Sequence, residues 1–147
     1  MKENTTIPKF VSVVAILLGC LDIVRGFMHT ILLEYAATHI AGFDLSTSLA
    51  GDLLQIMGAF GISNYLTGVM LILMGWKARS LALTMMGILP VAYIVGVVGI
   101  KVNSVPYAAS QADWGGAPMM MVYLVICAVT FVAGIVVTQI RKIADNR

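Results

Sequence analysis

Asp22, Arg25 and His29 fall close together in LLGCLDIVRGFMH, residues 17–29, inside a stretch otherwise apolar enough to sit in lipid. Each type has its own chemistry. A guanidinium is a permanent cation with several N–H donors, suited to carbonyl or anionic oxygens. An imidazole exchanges a proton near neutral pH, and a carboxylate can orient the guanidinium. An Arg at the centre of a bilayer costs about 2.5–3.5 kcal/mol on insertion scales, so ionisable residues in a span are functional candidates by default. The plainer alternative is an Asp–Arg pair that locks helix packing, with His29 hydrogen-bonding a neighbouring carbonyl.

Helical projection at about 100° per residue tests whether the three act together. With Arg25 as zero, Asp22 lies near +60° and His29 near +40°, roughly one face. Asp22 precedes Arg25 by three residues, close enough for an intrahelical ion pair. Val11 and Leu18 continue the same face toward the N-terminus, which confines the polarity to the second half of the segment. If the helix runs on past Glu34, His39 joins the face near −40°. The expectation is a face turned toward the bundle interior or a hydrated cavity.

The elements that must hold this face are membrane spans. The chain has 147 residues, 60% hydrophobic and 11% charged, well below the roughly 25% charge of a soluble domain. Hydropathy windows of about 19 residues give helices over about 10–33 (to 41 if the first one projects), 53–76, 81–100 and 117–140. About 20 helical residues cross a hydrocarbon core. The expected fold is therefore all-α, a polytopic membrane protein built as a four-transmembrane-helix bundle, one membrane domain over 1–147. Lys2, Lys9, Lys77, Arg79, Arg141, Lys142 and Arg147 fall on one side and Lys101 on the other. By the positive-inside rule both termini are expected to be cytoplasmic, in the cell (plasma or inner) membrane. Basic residues dispersed at helix ends exclude a nucleic-acid footprint.

Leu17-Leu18-Gly19-Cys20 after two lysines resembles a lipoprotein signal. The apolar stretch continues to Leu33 with helical periodicity, much longer than a signal core, so the first helix is expected to be retained. Cys20 and Cys127 each lie within a span without a second Cys nearby, which gives no support to CxxC redox chemistry or thiolate zinc. His29 and His39 would stand roughly 15 Å apart on one helix at 1.5 Å per residue, too far for one haem iron. A divalent metal on His39 with Asp44 or Asp52 has no ligand spacing behind it, so no metal site is assigned.

The second span repeats Gly61, Gly68 and Gly75 every seven residues, with Gly58 and Asn64 near that side. Small residues let a neighbouring helix approach, and Asn can hydrogen-bond across the contact. Asp52, Ser63 and Thr67 make a second, mildly polar face that could line the same cavity as Arg25. Pro90 falls in the middle of the third span and should kink it. The fourth span aligns Tyr123, Cys127, Thr130, Gly134, Thr138 and Arg141, a good partner for the first helix, with Tyr123 expected near His29. The connection KVNSVPYAASQADWGGAP, with Tyr107 and Trp114, reads as either a lid over the outer mouth or a plain connector.

GVMLILMGWKARSLAL, residues 68–83, joins the second and third spans through Gly75, Arg79 and Ala82. This hairpin, with Arg25-Gly26 in the first helix, resembles the DoxX and DoxX-like membrane families, although Asn64 stands where members often carry an acidic residue. The resemblance implies four helices and, from the family name, a thiosulfate–quinone oxidoreductase subunit. Many relatives lack an assigned activity.

Three functional readings follow. The first is a small subunit binding a quinone or other lipid-like ligand in a polar cavity of the outer leaflet. Asp22, Arg25, His29 and Tyr123 would touch the ligand, with Asp52, Asn64, Thr67 and Cys127 behind them. The second is a small oligomeric transporter or channel whose protomers meet along the glycine stripe. The third is a non-catalytic accessory protein of a larger membrane complex. No sequence motif marks independent catalysis.

Overall fold

A computed structural model of the chain describes residues 6–105 and 115–145, and most of these are helical. Helix α1 spans Lys9–Thr30, and a single turn α2, Leu33–Tyr35, leads into a π-helical turn at Ala36–Ile40. Helices α3 (Ala50–Lys77), α4 (Arg79–Ser104) and α5 (Ala117–Asp145) follow. All four long helices have the length and apolarity to cross a membrane. Helices suit that setting because each one satisfies its own backbone hydrogen bonds. The expected spans are all present; the second and third run longer at both ends and the fourth at its C-terminal end, while the first stops at Thr30, short of 33. Residues 106–114, which hold Pro106, Tyr107, Asp113 and Trp114 of the expected lid, lie outside the described residues, as do Lys2 and Arg147.

Helix α1 packs most extensively against α3, and α4 against α5. The glycine stripe sets the first contact. A Cβ on Gly68 would stand 2.7 Å from the Gly19 carbonyl oxygen, and one on Gly19 would stand 2.6 Å from that of Gly68. Gly75 lies against the backbone of Ser12, and Gly61 against His29 and Thr30. The stripe is thus occupied within one chain. In the single chain α1 fills the close approach that these glycines permit.

The buried face of α1 runs Val11, Ala15, Leu18, Gly19, Asp22 and Gly26. Leu71 of α3, Ala82, Leu83 and Met86 of α4, and Tyr123 and Cys127 of α5 close on it. The buried residues of α4 all precede Pro90. From residue 91 to 105 every position except Gly99 is exposed, although the helix runs through the proline without interruption. Toward its C-terminus α4 therefore presents its sides outward rather than to the bundle.

Each end of the bundle is tied by polar contacts. At the end that carries the start of α1, Arg79 donates from Nε to Ser12 Oγ at 2.9 Å and from Nη1 to the Ile7 carbonyl at 2.9 Å. Arg141 Nη1 donates to the Thr6 carbonyl at 3.4 Å. Ala78 alone joins α3 to α4. Its N–H closes the last turn of α3 on Met74 O, and its carbonyl accepts from Ala82 N. At the opposite end Ala36, Ala37 and Ala41 bury against Met57, and Gly115 N donates to Ile40 O at 3.1 Å.

Helix α1 does not project to residue 41. Ile31 N and Leu32 N both bond to Phe27 O, and Leu32 leaves helical geometry with ψ near 35°. His39 is consequently removed from the face of Arg25. It is exposed, bonded through Nδ1 to Thr38 Oγ1 at 2.7 Å and stacked on the Tyr35 ring at 4.7 Å.

Candidate functional site

Asp22 and Arg25 occupy α1 roughly 12 Å and 8 Å short of its end at Thr30, at 1.5 Å per residue. Tyr123 lies about 9 Å inside the start of α5 by the same count. The three meet. Arg25 Nη1 donates to Asp22 Oδ1 at 3.3 Å, and Tyr123 Oη donates to Asp22 Oδ2 at 2.9 Å. Asp22 is 2% exposed and Tyr123 4%, so one carboxylate oxygen faces along α1 and the other faces across to α5.

Burial divides the ion pair unequally. The Asp22 side chain is 3% exposed and the Arg25 side chain 22%. Among the described residues, Asp22 is the hydrogen-bond partner found for Arg25. A guanidinium carries five N–H donors, so Arg25 keeps donors directed away from its partner. No buried side-chain N or O among the described residues lacks a hydrogen bond. The open capacity is at the accessible part of Arg25.

His29 lies one turn beyond Arg25 on the same face, as expected, but it meets α3 rather than Tyr123. Asn64 Nδ2 stands 3.2 Å from His29 Nδ1. Beside this pair, Thr30 Oγ1 donates to the Gly26 carbonyl at 2.8 Å and lies 3.1 Å from Tyr65 Oη. The Tyr65 ring fills the space over Gly26. Tyr65 and Thr30 were not singled out from the sequence, where a lone Tyr and Thr in apolar runs carry no pattern.

The remaining candidates separate. Cys127 is buried in the core, on the α5 stripe with Tyr123 and one turn further from its start. Asp52 is exposed in the first turn of α3. Ser63 and Thr67 donate back to their own helix, to Ala59 O and Ser63 O. No hydrogen bond among the described residues links this side of α3 to Arg25. Asp44 accepts from the Ser46 amide at 2.9 Å. Hydrogen bonds from the Ser46 side chain and then its backbone hold that carboxyl below the ordinary carboxylate range. Among the described residues no three His, Cys, Asp or Glu side chains converge in the manner of a metal site.

Two shallow, apolar concavities mark the surface. One of about 500 Å³ lies along the outside of α5 at Ala128, Val132 and Val136. The other, about 420 Å³, is bounded by Thr30 and Leu33 and by Leu54, Gly58 and Ile62 of α3. Neither contains Asp22, Arg25, His29 or Tyr123. Comparison of the chain with protein-family models, curated proteins and solved structures finds no match.

Proposed function

We propose that this chain is an integral membrane protein that binds a small amphipathic molecule through an acceptor oxygen, a quinone carbonyl or the carboxylate or phosphate of a lipid. The observation that carries this reading is the asymmetry of the Asp22–Arg25 pair. Tyr123 and Arg25 satisfy Asp22 inside the bundle, while Arg25 retains accessible donors. It does so between an α3 contact at His29 and an α5 contact at Asp22, at the end where α4 contributes no buried residue. Asp22 orients the guanidinium, Tyr123 holds Asp22, and Arg25 receives the oxygen. The likeness of residues 68–83 to the DoxX-like hairpin is consistent with a quinone. With both termini on the cytoplasmic side, the site lies in the outer leaflet of the cell membrane.

The test is binding of decylubiquinone and of oleate to purified protein in nanodiscs, with mass spectrometry of any lipid-soluble molecule retained in mild detergent. Arg25→Gln is expected to weaken binding by about tenfold, the loss of one charge-assisted hydrogen bond. A protein that retains no such molecule, and whose Arg25→Gln variant binds both probes as before, overturns the proposal. A second reading, the cluster as a packing clasp between α1 and α5, is favoured by the engagement of both Asp22 oxygens. It predicts that Arg25→Gln lowers stability alone.

A further inference from the structure

The contact between Asn64 and His29 determines more than helix packing. Asn64 presents its amide nitrogen to His29 Nδ1 at 3.2 Å. An amide NH2 donates and does not accept, so Nδ1 must supply the lone pair. In the neutral imidazole the proton then sits on Nε2. Among the described residues no hydrogen bond engages Nε2, and His29 is only half-buried. Arg25 and His29 are four residues apart on α1, which places their Cβ atoms about 5–6 Å apart on one face. Two donors, guanidinium and Nε2–H, are thereby offered on the same side of the helix.

We infer that Asn64 is a positioning residue that fixes the tautomer of His29, making Arg25 and His29 a paired donor site selective for ligands bearing an acceptor oxygen. The inference rests on the ligand-binding reading above and names what that site selects. Carbonyls and carboxylates match two donors. An ammonium group, which has donors and no lone pair, does not match, because it meets donor with donor and charge with like charge. Asn64 exerts this choice from α3 without touching the ligand. Gly61, one turn earlier, lets α3 approach His29 closely enough for the amide to reach: a Cβ there would stand 3.0 Å from the His29 Cβ.

Nitrogen-15 NMR of histidine-labelled protein in nanodiscs reads the tautomer directly, with His39→Gln removing the second histidine signal. The expected spectrum at pH 8 shows a bare Nδ1 and a protonated Nε2. Asn64→Asp replaces the donor with acceptor oxygens, so it should move a proton onto Nδ1 and weaken decylubiquinone binding about tenfold. Asn64→Ser keeps a hydroxyl donor and should recover part of both. A protonated Nδ1 in the unsubstituted protein, or an Asn64→Asp spectrum identical to it, overturns the assignment. The wild-type spectrum decides even where a variant fails to fold. If the tautomer is as stated but neither decylubiquinone nor oleate binds, the ligand-binding reading fails and the selectivity fails with it, while Asn64 as the group that fixes the tautomer survives.

Discussion

Replacing Gly68 with Ala tests the packing that brings the polar residues together. A methyl group at this position meets the Gly19 carbonyl oxygen at 2.7 Å and the Ile23 side chain at 3.0 Å, where ordinary contact begins at 3.4 Å. The obstructing oxygen is backbone, so no rotamer change relieves it and α1 must move off α3 by roughly 0.7 Å, enough to forfeit a quarter to a half of the dispersion energy of the contacts that open. Overpacking of this kind costs about 1–3 kcal/mol. Removing a helical glycine returns about 0.5–1 kcal/mol of backbone entropy, which leaves a net loss of about 0–2.5 kcal/mol. Gly96→Ala is the matched control, since a Cβ there meets nothing within 4 Å; it keeps the entropic gain and loses nothing. The two variants should differ by about 2 kcal/mol in reversible unfolding by SDS in mixed micelles, followed by circular dichroism. Equal stabilities, or a more stable Gly68→Ala, would refute a close α1–α3 approach through these glycines. A loss that appears only at concentrations where the protein self-associates would place the glycines between chains instead.

Tyr123→Phe should destabilise the protein by about 1.5–3 kcal/mol, because a buried carboxylate loses a donor and water cannot reach it. The same unfolding assay reads this, and the cost should shrink when Asp22→Asn is already present, as expected for residues in direct contact. Arg79→Gln should cost about 1 kcal/mol at most, since the interface can rehydrate Ser12 and the Ile7 carbonyl. Its signature is faster amide hydrogen exchange in the first turn of α1 with unchanged exchange around Gly26. Uniformly faster exchange along the helix would contradict a local tie.

How much of this was legible depends on the range over which each signal acts. The four helices follow from apolar runs that have no other stable form in lipid. The inward turn of Asp22 follows from 100° arithmetic anchored by Val11 and Leu18, both of which lie on the buried side. The α5 stripe was legible for the same reason: Tyr123, Cys127, Thr130 and Gly134 are all buried. Pairings between helices were less accessible. Tyr123 was expected beside His29 and instead reaches Asp22, two turns deeper on α1. Depth counted from the ends of hydropathy windows is off by about a turn here, because α1 ends at Thr30 rather than at 33 while α5 starts at Ala117 as expected, and a carboxylate is a stronger acceptor than an imidazole. The break at Ile31–Leu32, which removes His39, has no Gly or Pro to announce it. It arises where Ala36, Ala37 and Ala41 bury against Met57, a tertiary contact that no local pattern encodes.

That break also bears on why the polar face ends where it does. Were α1 continuous past Glu34, His39 would extend the polar stripe a further two to three turns toward the interface, and water could follow the stripe inward. The π-helical turn instead packs alanines over the start of α3, and Tyr65 covers Gly26 beside the Thr30 hydroxyl. The polar groups that remain are connected through protein: Tyr123 to Asp22 to Arg25, and Asn64 to His29. An ion pair in lipid is tolerated when its charges are hydrogen-bonded and shielded. Asp22 meets that condition from within the chain. Arg25 meets it only in part, with one partner among the described residues and its side chain 22% exposed. In a bilayer its remaining N–H donors need an acceptor oxygen, which is the demand that the proposed ligand would meet.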